Sequence, residues 1–280
     1  MKEVFKSLQN ALKDHYDVHE AQSMMKILVM HYLKISNLQW LTKDFVDPTS
    51  EQLEDIKNAV ARLLKDEPLQ YILGEADFYD LTFLVTPSVL IPRPETEELV
   101  EWILTSVDKD VDILDIGTGS GCIPISLKKH LPKSDVSSMD YSTDAIEVAK
   151  SNALRNGVDV QFYHDDALNF SDKMYEMSWD VIVSNPPYIR VLEKVEMRDN
   201  VLDYEPEMAL FVSNEDPLIF YREIAKYAMK TLKSGGMLFF EINQYLGKET
   251  VALLDLLGFV DIQLRKDLSG NDRMIKATKE

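Results

Sequence analysis

The sequence predicts an α/β fold: a mostly parallel sheet covered by helices on both faces, with a C-terminal antiparallel strand and a small helical domain ahead of it. Three observations point there. From residue 111 onward, β-branched apolar runs alternate with helical stretches, the pattern of parallel strands joined by crossover helices. One run, Val111-Asp-Ile-Leu-Asp115-Ile116, empties into the glycine-rich turn Gly117-Thr118-Gly119-Ser120-Gly121. Another, Asp180-Val-Ile-Val183, stops at the stiff turn Ser184-Asn185-Pro186-Pro187-Tyr188. The 280 residues have room for a large domain and a smaller one, and a 45% hydrophobic content can fill a sizeable core.

Residues 1–75 read as a helical domain. Leu53, Ile56, Val60, Leu63 and Leu64 follow helical spacing behind a capping box of Thr49 and Gln52. A second apolar cluster runs through Met24, Met25, Ile27, Leu28, Val29, Tyr32 and Leu33. Residues 76–92 change character: β-branched and aromatic residues flank a Thr86-Pro87 break, which predicts a β-hairpin or an extended linker. In Pro92-Arg93-Pro94-Glu95-Thr96-Glu97 a rigid segment feeds a helix with acids in its first turn, as the helix dipole favours. Arg93, held extended between two prolines, either reaches into a site or forms a surface ion pair. Residues 93–280 form the main domain, with strands expected at 111–116, 136–140, 158–163, 179–184 and 236–242 and a last pair at 260–264 and 273–277. Helices are expected at 121–130, 142–156, 217–232 and 247–257.

Composition narrows the function. A net charge of −18 disfavours attraction to a polyanion, which depends on Lys and Arg displacing counterions. The same acidity suits a cationic cofactor, a basic partner surface or simple solubility. Lone Cys122 excludes a disulfide framework. No apolar run reaches the ~20 residues of a membrane span, and the N-terminal residues lack a signal-peptide pattern. A cytoplasmic monomer that engages neither membrane nor nucleic acid is the expectation. His164 has no His or Cys partner at ligand spacing, so no metal is expected.

The glycine turn marks a cofactor site. Its glycines let the backbone approach a ligand, and the helix beyond offers free N–H groups. At the end of the next strand, Asp140 can accept both hydroxyls of a ribose. A dinucleotide site prefers G-x-G-x-x-G under a pyrophosphate. Here the glycines sit at 117, 119 and 121 behind Asp115, an acid better suited to an ammonium and a sulfonium. That spacing is similar to the first motif of class I S-adenosylmethionine-dependent methyltransferases, which have a Rossmann-like fold. Asp166 either meets the adenine amino group or ends a solvated loop. At the second turn, Asn185 offers an amide and Pro186 and Pro187 offer carbonyls without N–H groups. Tyr188 offers a ring, so the turn suits a flat group carrying NH2.

Together these residues resemble the HemK/PrmC family, the N(5)-glutamine methyltransferases of peptide chain release factors. The resemblance runs from about residue 68 to the end. It rests on Gln70-Tyr-Ile-Leu-Gly74 with Phe78, Leu90-Ile-Pro-Arg-Pro-Glu-Thr-Glu97, the glycine turn and Asn185-Pro-Pro-Tyr188. Tyr204-Glu-Pro206 with Ala209-Leu210, Phe240-Glu-Ile242, and Asp267-Leu-Ser-Gly270 with Asp272-Arg273 follow in the family's order. It implies that Gly117, Thr118, Gly119, Ser120, Gly121, Asp140, Asp166, Ala167 and Asn185 hold S-adenosylmethionine, with S-adenosylhomocysteine as product. It implies that Asn185, Pro186 and Tyr188 are catalytic, and that these three with Pro187 and Arg93 grip the glutamine of a Gly-Gly-Gln motif in class 1 release factors. The first ~65 residues resemble a helical substrate-recognition domain only generically. Family members often carry a bulky aromatic where this chain has Ala167, so adenine must find cover elsewhere, for which Leu168 and Phe170 are candidates. The rivals are an N(6)-adenine nucleic-acid methyltransferase, which uses the same turn on a flipped base, a ribosomal-protein glutamine methyltransferase, a non-catalytic cofactor-binding scaffold of the translation machinery and a nicotinamide-dependent oxidoreductase.

Overall fold

The computed structural model describes residues 2–42, 44, 47–107, 110–197 and 199–280. They form two compact units. The first takes in the chain up to Gly74 and a later segment ending at Tyr204. Its helices are α1 (Lys2–Lys13), α2 (Val18–Leu33), α3 (Asn37–Thr42), α4 (Ser50–Leu63) and α5 (Leu69–Leu73). The capping box is present: Gln52 N donates to Thr49 Oγ1 (3.2 Å) and Thr49 N to Gln52 Oε1 (2.9 Å). The apolar stripe of α4 packs as its spacing dictates, burying Ile56, Val60 and Leu63 against Leu12, Met25, Leu28 and Val29. Ile27, one position off that face, is exposed.

The second unit begins with a hairpin, β1 (Glu75–Phe78) and β2 (Leu81–Leu84). Its turn is Tyr79-Asp80, both at positive φ (48° and 59°), the conformation that matches the twist of two-residue hairpins. The reversal therefore falls at Tyr79-Asp80 and not at Thr86-Pro87. Asn152 bonds both the N–H and the carbonyl of Leu84 (2.6 and 2.9 Å), fastening the hairpin to this unit. Then follow α6 (Pro94–Ser106), β3 (Asp112–Ile116), α7 (Cys122–His130), β4 (Asp135–Asp140), α8 (Thr143–Asn156), β5 (Gln161–His164), α9 (Asp172–Tyr175) and β6 (Trp179–Ser184). After β7 (Ile189–Arg190) and a 3-10 turn come α10 (Asp199–Tyr204), which clusters with the first unit, α11 (Glu207–Leu210) and β8 (Phe211–Val212). The chain closes with α12 (Ile219–Thr231), β9 (Leu232–Glu241), α13 (Gly247–Leu256), β10 (Phe259–Lys266) and β11 (Asp272–Lys279).

Seven strands form one sheet in the order β10-β11-β9-β6-β3-β4-β5. The five from β9 to β5 are parallel, and β10 and β11 run antiparallel at one edge. Successive residues point to opposite faces. Leu114, Ile116, Ile182, Leu238 and Phe240 therefore pack on one side against α12 and α13. Ile113, Val181, Val183 and Phe239 pack on the other against α6 and α7. Each such side chain, fully buried, contributes about 1.5–3 kcal/mol over exposure.

Two strands start three or more residues away from where the sequence predicts them. The strand expected at 158–163 starts at Gln161, because Val158 N still closes α8 by bonding Ala153 O (3.1 Å). The strand expected at 236–242 starts at Leu232, and the stretch 233–236 bulges between the pairs Trp179–Leu232 and Val181–Met237. The order of the sheet reverses between β3 and β6: β3 is followed outward by β4, whereas β6 is followed by β9 on the other side. A crevice opens at the carboxyl ends of strands at such a reversal.

Candidate active site

A cavity of about 430 Å³ lies at that reversal, within the second unit. Register explains its walls. Ile116 pairs with Ser184 and Ser184 with Phe240, so the residues just past them, Gly117, Asn185 and Glu241, stand side by side at the carboxyl ends of β3, β6 and β9. Gly117 has φ 88°, and a Cβ there would stand 3.8 Å from the Asn185 carbonyl oxygen, so the two turns nearly touch.

Of the expected cofactor residues, Gly117, Thr118, Gly119, Ser120, Asp140, Asp166, Ala167 and Asn185 all line the cavity. Gly121 does not. It N-caps α7 at φ 82°, and an added Cβ would meet Ile125 Cδ1 at 2.8 Å and Ala149 Cβ at 3.1 Å, so this glycine serves close helix packing. Asp140 braces the turn, accepting from Gly119 N (2.9 Å) through Oδ2 and from Ser142 N (2.8 Å) through Oδ1. Burial pushes its carboxyl above the ordinary value, opposed chiefly by those backbone donors. Below the turn, Thr118 donates to Ser138 and Ser138 to Asp115 Oδ2 (2.6 Å). Asp115 is fully buried, and desolvation raises its pKa to about 7. Its Oδ1 has no partner among the described residues.

Three carboxylates (Asp140, Asp165 and Asp166) line the cavity, and the only cationic side chain among its described lining residues is Arg93. Arg93 is already spent on Glu205 (2.6 Å), whose side chain is 1% exposed. A pyrophosphate would meet uncompensated like charge here, whereas a sulfonium and an ammonium meet opposite charge. The donor set thus fits S-adenosylmethionine. Ala167 and Leu168 line the same cavity, joined by Phe220 and Ile224 from α12. Phe170 is not part of the wall; it stacks on Tyr227 in the core, ring centroids 4.0 Å apart. The apolar cover that Ala167 cannot give is therefore available from Leu168, Phe220 and Ile224. No spacing in the sequence marked the two α12 residues.

At the second turn, Asn185, Pro186 and Pro187 line the cavity, but Tyr188 is outside its walls. The Tyr188 hydroxyl donates to Glu241 Oε1 (3.0 Å), and its carbonyl accepts from Asn243 Nδ2 (2.9 Å). The Tyr188 ring, expected among the residues that grip the substrate, thus packs into the core behind the turn. Burial and the neighbouring Glu241 carboxylate hold its hydroxyl far above the usual phenol value. Glu241 is 1% exposed and also accepts from the Thr96 hydroxyl (2.6 Å), which in turn accepts from Asn185 Nδ2 (3.3 Å). Burial pushes the Glu241 carboxyl up; the Thr96 and Tyr188 hydroxyls and the Arg273 guanidinium oppose it. Thr96 and Glu241 carried no role in the sequence reading. One signal was available: a glutamate ending the otherwise apolar run Leu238-Phe-Phe-Glu-Ile242 of a strand buried on both faces.

Comparison with known proteins agrees with this architecture. Residues 3–74 match the family model described as PrmC N-terminal domain, and residues 95–203 match that of the methyltransferase small domain. A release factor glutamine methyltransferase of Flavobacterium psychrophilum is 46% identical over 95% of this chain and 94% of its own. Its namesake from Bacteroides thetaiotaomicron is 41% identical over 97% and 98%. Among solved structures, a methyltransferase from Pyrococcus furiosus shares the fold, with a TM-score of 0.55 at 18% identity over 80% of this chain and 98% of that one. A class I methyltransferase sheet, an acid-lined crevice at its reversal and relatives aligned over nearly the whole length converge: the chain belongs to the release factor glutamine methyltransferase family.

Proposed function

We propose that the chain methylates the side-chain amide nitrogen of the glutamine in the Gly-Gly-Gln motif of class 1 peptide chain release factors. The observation that carries this reading is the acceptor-rich end of the cavity, where Asn185 keeps Nδ2 on Thr96 and Pro186 and Pro187 bring carbonyls without N–H groups. That end matches a planar group with two hydrogens to donate.

When bound, S-adenosylmethionine supplies a methyl group already activated on a sulfonium, so no side chain has to activate the donor. An amide nitrogen is a weak nucleophile because its lone pair is delocalised into the carbonyl. Asn185 Oδ1 and the Pro186 carbonyl take the two N–H groups and hold the lone pair in one direction. Such placement supplies much of the rate of a two-body reaction. The nitrogen sheds a proton once its new bond forms, so a side-chain base is not required. Gly117, Gly119 and Asp140 hold the cofactor's polar groups, Asp166 meets the adenine, and Leu168 with Phe220 covers its face. Tyr188 acts from behind, fixing the turn through Glu241. Arg93, paired with Glu205, holds the rim against which the substrate rests. The helical unit recognises the release factor.

Transfer of labelled methyl tests the proposal, using an intact release factor, its Gln→Ala variant in the Gly-Gly-Gln motif, and DNA. Label on the intact factor alone supports it. Label on DNA or on the variant sinks it.

A further inference from the structure

Three stretches far apart in the chain meet at the cavity wall in one hydrogen-bonded line that runs back from it: Asn185 Nδ2 to Thr96 Oγ1 (3.3 Å), and Thr96 Oγ1 to Glu241 Oε2 (2.6 Å). We propose that Thr96 and Glu241 are positioning residues that fix the polarity of the Asn185 amide, so that an acceptor and never a donor faces the substrate. The inference rests on the reading of the substrate as a glutamine amide.

The direction of the line follows from donor chemistry. Glu241 accepts from the Thr96 hydroxyl at Oε2 and from the Tyr188 hydroxyl at Oε1, so Thr96 spends its single proton there. The Thr96 oxygen then has only lone pairs left for Asn185, and of the two ends of an amide it can hold only the NH2. Among the described residues none donates to Asn185 Oδ1, which stays free as the acceptor. Glu241 is itself fixed: its other oxygen accepts from Tyr188 (3.0 Å), and it sits at the end of β9 in register with the turn after β6. Thr96 is 2% exposed and is held in the first turn of α6, where its N–H bonds Arg93 O (3.1 Å). A turned-over Asn185 would aim Nδ2 at the substrate NH2, donor against donor, and would instead welcome a carboxylate. Discrimination between glutamine and glutamate at the target position is the consequence.

The test uses Thr96→Val, which keeps shape and removes the hydroxyl, and Thr96→Ser, which restores it. Four quantities are read for each: turnover on the release factor, cofactor affinity by calorimetry, inhibition by a release factor carrying Gln→Glu in the Gly-Gly-Gln motif, and solvent exchange of the Asn185 side-chain NH2 by NMR. We expect Thr96→Val to lower kcat at least tenfold with cofactor affinity within about twofold of wild type. Its preference for the amide over the carboxylate should fall about tenfold, its Asn185 NH2 should exchange faster, and Thr96→Ser should recover all three. Unchanged discrimination and unchanged exchange in Thr96→Val would overturn the inference, as would losses that track cofactor affinity alone. Failure of the functional reading looks different: wild type would not label the release factor, yet the NH2 exchange would still separate Val from Ser.

Discussion

Asn185 is the residue on which the proposed chemistry converges, and its neighbours define what its loss should do. Asn185→Ala removes one acceptor for the substrate amide and leaves Gly117, Gly119 and Asp140 in place, so kcat should fall by about two orders of magnitude while calorimetric affinity for S-adenosylmethionine stays nearly constant. Equal losses in both would deny Asn185 its role. Asp115 makes a different kind of prediction. Its folded pKa, raised to about 7 by burial, lies above the unfolded carboxylate value. The folded state therefore holds the proton more tightly. The stability this confers is complete below the unfolded pKa and is lost as pH rises towards and through about 7. Denaturant midpoints should fall over that window, and Asp115→Asn, which cannot ionise, should flatten the fall. An unchanged slope in the variant would contradict it. Residues on the chain's own turns were legible in the sequence because their chemistry is local: glycines at a strand end, an amide beside two prolines, an acid one strand later. Thr96 and Glu241 were not, since only the register of β6 with β9 and the seat of α6 bring them to Asn185.

Elements were easier to read than their edges. A run such as Asp180-Val-Ile-Val183 can only be a strand buried on both faces, and β6 has the bounds its composition suggests. The late start of β5 and the early start of β9 were hidden, one by the helix closure at Val158 and the other by a bulge that shifts register without a hydrophobic signature. At the α7 terminus, Gly121→Ala would force a side chain onto φ 82° and into Ile125 and Ala149. The fold should lose about 2 kcal/mol or more, visible as a lower denaturant midpoint. At the rim, Arg93→Ala would strand the Glu205 carboxylate, whose side chain is 1% exposed. Breaking a buried pair from one side costs about 3 kcal/mol, whereas the double variant Arg93→Met with Glu205→Gln leaves no buried charge. The double variant should be the more stable of the two in thermal unfolding; the reverse order would show that the pair does not hold the rim.

For the whole molecule, a net charge of −18 and an acid-lined crevice argue in the same direction. Both disfavour a polyanion and favour a cationic cofactor. The sheet reversal puts the crevice where the fold offers free strand ends, and the turns after β3 and β6 specialise it. The measurement that tests this account most directly is peptide mass mapping of a purified release factor after reaction with wild type and with Asn185→Ala. The account predicts a single methyl group on the glutamine of the Gly-Gly-Gln peptide from wild type, and almost none from Asn185→Ala although that variant still binds the cofactor. Methylation at another residue, or equal methylation by the two proteins, would contradict it.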